Sequence, residues 1–297
     1  EDRSREIIED FRKKFSNINL LENPNRIQSS ALNIGIKQSK SKFILRLDAH
    51  SCYPRDYLLK CHETMLRTNS DNVGGIAITE PGSNSYSASV VQSLTTHWFG
   101  VGNSGFRIGI AEGEVDTVPY GFFNSDIFKK LGLFDERLVR AQDYEFNARI
   151  KQSGGKIWLN PNISFSYKNQ SSFFNFLKKQ IFLEAPYNAY MWYLAPYTFN
   201  ARHSITCFFS LGVIGGITLL SFSSIIKIIF IFVMGLYLLL SIYSSFMQAI
   251  RYRKAMHIFS LPFAFLLFHF LHGLGVIYGL LMILIKNSPV NKNNLVP

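Results

Sequence analysis

Over residues 1–170, short apolar runs alternate with amphipathic stretches, the pattern of a sheet covered by helices. Residues 6–15 keep apolar positions on one helical face, 18–21 read as a short strand and 28–37 as a helix. The apolar run FILRL predicts a strand over 43–48 that ends on Asp48. Pro54 opens a helix through residue 68, in a first turn where its missing N–H costs nothing. Residues 73–79 predict the next strand, and the Ser-, Gly- and Asn-rich stretch 83–113 a helix followed by a mobile loop. Residues 117–123 are extended, a short helix starts at Ser125, and 142–152 form a helix stopped by Gly154 and Gly155. The runs 156–159 and 163–167 read as edge strands.

From residue 171 the pattern changes. SSFFNFLKKQIFLEA sets Phe and Leu against Lys, as in a helix lying in a membrane interface or packed on a domain, and PYNAYMWYLAPY would suit the headgroup level. The expected organisation is therefore an α/β domain over 1–170, an interfacial helix and linker over 171–203, apolar spans over 204–286 and a polar tail over 287–297. The spans are three uncharged runs, 204–226, 228–250 and 258–285, each longer than the roughly 20 residues a helix needs to cross hydrocarbon.

Charge sharpens this division. The net charge of +11 would suit a nucleic-acid binder, but the first 200 residues hold all 20 acids and all but seven of the 31 bases. The last 97 residues carry those seven bases and no acid, separated by apolar runs, which marks a membrane segment and argues against nucleic acid. Lys178, Lys179 and Arg202 precede the first span and Arg251, Arg253 and Lys254 follow the second, which places both sets, and the α/β domain, on the cytoplasmic side of a multi-pass cell-membrane protein. Cys52, Cys61 and Cys207 form no Cys-x-x-Cys pair, so neither a zinc site nor a disulfide framework is indicated.

Ligands of open α/β sheets bind beyond the carboxyl ends of the strands, where Asp48 and His50 are placed. A carboxylate and an imidazole two apart can share a divalent cation, and Mg2+ or Mn2+ brings phosphates with it. An Asp capping a turn beside a bystander His gives the same spacing. Asp143 and Glu145 open the helix that starts at 142, where the dipole favours carboxylates, either as a cap or as a base. His269 and His272 share a face of the last span, as an intramembrane site or as interhelical hydrogen-bond partners.

Three strings in order, NPNRIQSSALNIGIKQSKSKFILRLDAHSCYP, VGGIAIT and VPYGFFNSDIFKKLGLFDERLVRAQDYEFNARIKQSGGKIWLNP, resemble the inverting glycosyltransferase family 2. The likeness is to membrane-bound members of succinoglycan-type exopolysaccharide pathways, which carry Asp-Ala-His where relatives have Asp-x-Asp. The resemblance implies a GT-A (Rossmann-like) α/β fold, a nucleotide-sugar donor, a divalent metal (Mg2+ or Mn2+) on its diphosphate, and a lipid-linked or polysaccharide acceptor. It makes Asp48 the metal- and donor-proximal carboxylate, and His50 the group in place of the second carboxylate. Asp143 becomes the general base. Arg26 and Asn33, with Gly35, fall on the helix that borders the nucleotide, and Glu145 and Gly121 on the acceptor side. The family's usual first strand and nucleotide-recognising Asp are not seen, so an N-terminally incomplete domain is expected. No Gln-x-x-Arg-Trp string occurs, so a single sugar per binding event is expected. A polyprenyl-phosphate glycosyltransferase and an inactive membrane remnant are the competing readings.

Overall fold

The structure, a computed structural model, describes residues 3–291; residues 1–2 and 292–297 and the side chain of Arg202 lie outside what it describes. The polar tail expected over 287–297 therefore falls mostly outside the described residues. The chain begins with α1 (Ser4–Lys14), α2 (Gln28–Gln38), β1 (Phe43–Leu45), β2 (Ser51–Cys52), α3 (Tyr57–Thr68) and β3 (Asn72–Glu80). It continues through α4 (Tyr86–Thr95), the short α5 (Trp98–Val101) and α6 (Gly105–Ile108), β4 (Gly113–Glu114), β5 (Phe122–Asn124) and α7 (Asp126–Leu131). Then come α8 (Gln142–Gln152), β6 (Ile157–Lys168), α9 (Phe173–Lys179), a π-helical turn Gln180–Glu184 and α10 (Ala185–Leu194). Three long helices follow: α11 (Ala201–Leu219), α12 (Ser224–Tyr252) and α13 (His257–Leu284).

The sheet is mixed, ordered β1-β5-β3-β6-β2 with β4 on β6, and only β3 and β6 run parallel. One apolar cluster (Tyr57, Cys61, Val73, Phe122, Phe165) fills the α3 side of the sheet, and a second (Phe123, Phe128, Phe146, Ile150, Leu159) the α8 side. The alternation along β5 that sends Phe122 to one cluster and Phe123 to the other is the period-2 geometry of a strand.

The sequence reading needs four corrections here. Residues 18–21 are irregular, because no strand of the sheet pairs with them. The two expected edge strands are one strand, β6, lying inside the sheet between β3 and β2. Pro161, which should exclude a central strand, falls where the register shifts between Gly74 and Ile76, so the bulge absorbs the missing donor. Gly75 makes room for it: a Cβ there would stand 2.0 Å from the Ile163 carbonyl oxygen. The expected loop after α4 contains α5 and α6, the first packed on α4 and α13 through Phe99 and Phe265.

The fourth correction concerns the spans. Among the described residues, two helices, α12 and α13, are long and apolar enough to cross a membrane, where three spans were expected. The uncharged run 204–226 is broken because Ser223 accepts the Ile226 amide at 3.4 Å and caps α12, which leaves α11 only 19 residues. His269 Nδ1 meets the Tyr237 hydroxyl and His272 Nδ1 the Thr206 hydroxyl, each at 2.9 Å, so both imidazoles join neighbouring helices. The α12–α13 corner holds the α/β domain: Gln248 donates to the Ser93 carbonyl at 2.5 Å, Arg251 to the Thr96 carbonyl at 3.0 Å, and Ser89 meets His257 at 3.1 Å.

Candidate active site

Beyond β1 the chain stays extended, with the Arg46 amide donating to the Gly121 carbonyl at 3.1 Å, and residues 46 and 48 project to the same face. Asp48 then starts the turn into β2. Its amide donates to the Tyr53 hydroxyl at 2.9 Å, and its carbonyl accepts the Ser51 amide at 3.2 Å. The Arg46 guanidinium grips the Asp48 carboxylate with two hydrogen bonds, Nε to Oδ1 at 3.0 Å and Nη2 to Oδ2 at 3.1 Å. Its third nitrogen, Nη1, lies 3.9 Å from Asp143 Oδ2 at the start of α8. Burial works against the charge of Arg46, but Asp143 and Asp48 outweigh it and hold the guanidinium above its ordinary value.

A second chain of contacts fixes this arrangement. Gln142 Nε2 donates to Gln28 Oε1 at 2.8 Å, and Gln28 Nε2 donates to Asp48 Oδ2 at 3.1 Å, linking α8 through α2 to the end of β1. The Tyr120 ring lies 5.3 Å from the Arg46 guanidinium carbon, and its hydroxyl shares a 2.8 Å hydrogen bond with Ser51. Burial pushes that phenol up to about 12, so it remains a hydroxyl.

Asp48, His50 and Asp143 thus open on one cleft of about 520 Å3, with Gln28, Arg46 and Tyr120 beside them. Side-chain exposure separates the two carboxylates, at 11% for Asp48 and 38% for Asp143. His50 is exposed at the rim, its ring 6.4 Å from that of Tyr167. Among the described residues no group of three or more His, Cys, Asp or Glu side chains could hold a metal by itself. Asp48 and His50 therefore suit only a cation that brings most of its ligands with it, as Mg2+ or Mn2+ does with phosphates. Each Asp48 oxygen, though already hydrogen-bonded, has lone-pair capacity left for that role.

Four other residues singled out in the sequence are placed elsewhere. Asn33 is buried and clamps the 134–136 segment, donating to the Phe134 carbonyl and to Glu136 at 2.9 Å and accepting the Phe134 amide at 3.0 Å. Glu145 is buried beneath α8, paired with Arg149 Nε at 2.6 Å and accepting from the Tyr197 hydroxyl at 2.6 Å. Gly121 adopts φ +94°, where a Cβ would meet the Phe123 ring at 2.5 Å; it shapes the turn that presents Tyr120. Arg26 is exposed at φ 53° and does not line the cleft. The sequence reading missed Arg46, Gln28 and Gln142. A base two residues before Asp48 in a strand was the available signal for Arg46, since i and i+2 share a face.

Residues 1–130 match the model of glycosyl transferase family 2, a span that contains Asp48 and His50. Over that span the chain is similar to a domain of that family, which supports glycosyl transfer as its chemistry. A Methanococcus voltae dolichyl N-acetyl-α-D-glucosaminyl phosphate 3-β-D-2,3-diacetamido-2,3-dideoxy-β-D-glucuronosyltransferase is 27% identical over 292 residues, covering 94% of this chain and 84% of that protein. Succinoglycan biosynthesis protein ExoA of Rhizobium meliloti is 28% identical over 168 residues, 56% of this chain and 50% of that one; the chain thus spans half the length of that relative. A solved mannosyltransferase from Pyrobaculum calidifontis, in complex with GDP-Man and Mn2+, superposes with a TM-score of 0.51 at 13% identity, covering 90% of this chain and 74% of its own. That likeness extends the family's GT-A fold to this chain.

Proposed function

We propose that this chain is a membrane-anchored, inverting glycosyltransferase that moves one sugar from a nucleotide-sugar donor to a lipid-linked or glycan acceptor of the cell surface. The observation that carries this reading is the pairing of Asp48 and Asp143 on opposite flanks of one buried guanidinium in a single cleft. Inversion requires the acceptor to attack the anomeric carbon from the face opposite the leaving diphosphate, so base and donor site must come from different elements. Asp143, on α8 and the more exposed carboxylate, takes the proton of the acceptor hydroxyl as its oxygen bonds to the anomeric carbon. The bond from that carbon to the diphosphate oxygen breaks, and the electron pair leaves with the nucleotide. Arg46 keeps the two carboxylates apart and fixes Asp48 toward the donor. Asp48 and His50 would hold a divalent cation, whose charge would offset that of the departing diphosphate.

The relatives support the acceptor class: the archaeal one is named for a dolichyl phosphate glycan and the bacterial one for succinoglycan. Anchoring is supported by α12, whose apolar side chains find little cover in the chain, with Ile228 68%, Phe232 71% and Leu239 67% exposed. Faces of that kind mark contact with lipid or protein. Arg251, Arg253 and Lys254 at the corner that holds the α/β domain support a cytoplasmic side for that domain.

Turnover of labelled nucleotide sugars on membranes tests the reading. Asp143→Asn should lower kcat by about 100-fold or more, the usual worth of a general base. A lipid phosphate attacking directly would need no base, so full activity in that variant would sink the hydroxyl-acceptor mechanism in favour of phosphate attack.

A further inference from the structure

Beyond Arg46 and its two carboxylates, the cleft lining holds more cations than carboxylates. Arg107, in α6, hydrogen-bonds through Nη1 to the Tyr167 hydroxyl and lies over the rings of Phe106 and Tyr167, at 5.2 and 5.6 Å. Burial opposes its charge, and Tyr167 and the more distant Glu184 sustain it. Further along, Arg140 Nε and Lys179 Nζ share one carboxylate oxygen, Glu184 Oε1, at 3.6 and 3.3 Å. The Arg140 Nε is buried and makes no hydrogen bond among the described residues. With Arg46 taken by Asp48 and Asp143, three cations and one carboxylate remain in the same cleft.

Two more features belong to this wall. Glu184 and Gln180 reach the cleft from the π-helical turn between α9 and α10, a backbone irregularity frequent at functional sites. Beside the cations the lining turns apolar, with Phe176 of α9, Met191 of α10 and Phe268 of α13. The lining therefore leads from an anion-seeking pocket onto α13, a helix long and apolar enough to cross a membrane.

We propose that Arg107, Arg140 and Lys179 form a phosphate subsite for the lipid-linked acceptor, gripping the phosphate that joins its sugar to an isoprenoid-type lipid while a sugar hydroxyl remains the nucleophile, with Glu184 as the resident counter-ion that the phosphate displaces. The assignment rests on the glycosyl-transfer reading of the cleft. The donor diphosphate has the same chemistry, but Asp48 and His50 already offer it a place in the cleft. Phe268 carries this part of the lining onto α13, a helix long and apolar enough to cross a membrane, which suits an acceptor held by an isoprenoid tail. A charge-assisted hydrogen bond is worth more than a neutral one, so removing one cation should weaken phosphate binding by roughly ten- to a hundredfold.

The test uses the full chain in detergent micelles, with farnesyl phosphate as the acceptor probe, farnesol as its uncharged counterpart and GDP and UDP as donor-side probes. Lys179→Gln, at a side chain 37% exposed, and Arg107→Gln should each weaken farnesyl phosphate by roughly ten- to a hundredfold and leave farnesol and the nucleotides unchanged. Glu184→Gln should tighten farnesyl phosphate, an opposite sign that general damage to the fold would not produce. Asp143→Asn should bind farnesyl phosphate as the parent does while losing sugar transfer to the hydroxyl of lipid-linked acceptors on membranes, which separates failure of the subsite from failure of the catalytic reading. Unchanged farnesyl phosphate binding in both cation variants overturns the proposal, as does weakening of nucleotide binding instead.

Discussion

On the sheet side of the cleft, Arg46 is enclosed by Asp48 and Asp143, one cation between two carboxylates; on the helix side, Arg107, Arg140 and Lys179 face Glu184 alone. Depth separates the two walls as much as charge. The Arg46 and Asp48 side chains are 6% and 11% exposed, whereas Arg140, Lys179 and Glu184 are all near a third. A buried ion must find its counter-charge within the fold or unfold it. A half-exposed ion still sees water, so the fold tolerates an excess that a ligand later neutralises. The sheet side is thus bound to be balanced by its burial, and the half-exposed Arg140 and Lys179 are free to hold charge in reserve, while the more buried Arg107 is held by the Tyr167 hydroxyl.

Removing the buried cation is the severest way to break this contrast. Arg46→Met leaves Asp48 buried with Gln28 as its remaining side-chain donor, and losing one partner of a buried pair costs about 3–5 kcal/mol. The expected result is a large drop in the thermal unfolding midpoint of the purified chain, together with loss of activity. A midpoint equal to that of the parent would show that the Asp48–Arg46 pair contributes nothing to the fold.

These walls were unevenly legible in the sequence. Asp48 and Asp143 stood out because each sits at a punctuation mark, the end of an apolar strand and the opening of a helix stopped by Gly154 and Gly155. The bounds of α8, Gln142–Gln152, follow from the same marks. β6 was harder to see, because Pro161 looks like a terminator until the bulge opposite Gly75 is known, and a bulge is a property of two strands. Asn33 and Glu145 are polar residues in amphipathic helices, and residue type alone does not say which way they point. Arg107 lies in the Gly-rich stretch 102–109, where no periodicity assigns a face. The 204–226 run shows the same limit in the membrane region, since absence of charge does not reveal that Ser223 caps a new helix.

Glu145→Gln gives a smaller effect, and its use is to show that neighbouring acids on one helix serve different ends. Glu145 and Asp143 are two residues apart, about 200° around the helix axis, so one faces the cleft and the other the core. The Glu145 carboxylate orders Arg149, which donates to the Leu131 and Leu133 carbonyls at 2.8 and 2.7 Å, and it receives the Tyr197 hydroxyl. Burial and that carboxylate together push the Tyr197 phenol up. Replacing the charge with an amide should cost about 1–3 kcal/mol of stability, with KM for donor and acceptor unchanged in the folded fraction. A change in acceptor KM without a change in unfolding midpoint would return Glu145 to the acceptor side of the site.

The smallest expected change in stability is the one that best defines the helix-side wall. Lys179 forms an ion pair with Glu184 at 3.3 Å, but pairs this exposed contribute about 0–1 kcal/mol. Arg140 still faces Glu184 when Lys179 is gone, so Lys179→Gln should leave the unfolding midpoint within about 1 kcal/mol of the parent. The same substitution should also flatten the salt dependence of acceptor binding, because one fewer fixed cation attracts the phosphate. A marked fall in stability would mean that the lysine belongs to the fold, and that the two walls are balanced alike. A stable variant with weakened phosphate binding would mean that the charge excess serves the ligand, since a cation with no structural work in this half-exposed wall has only the ligand left to serve.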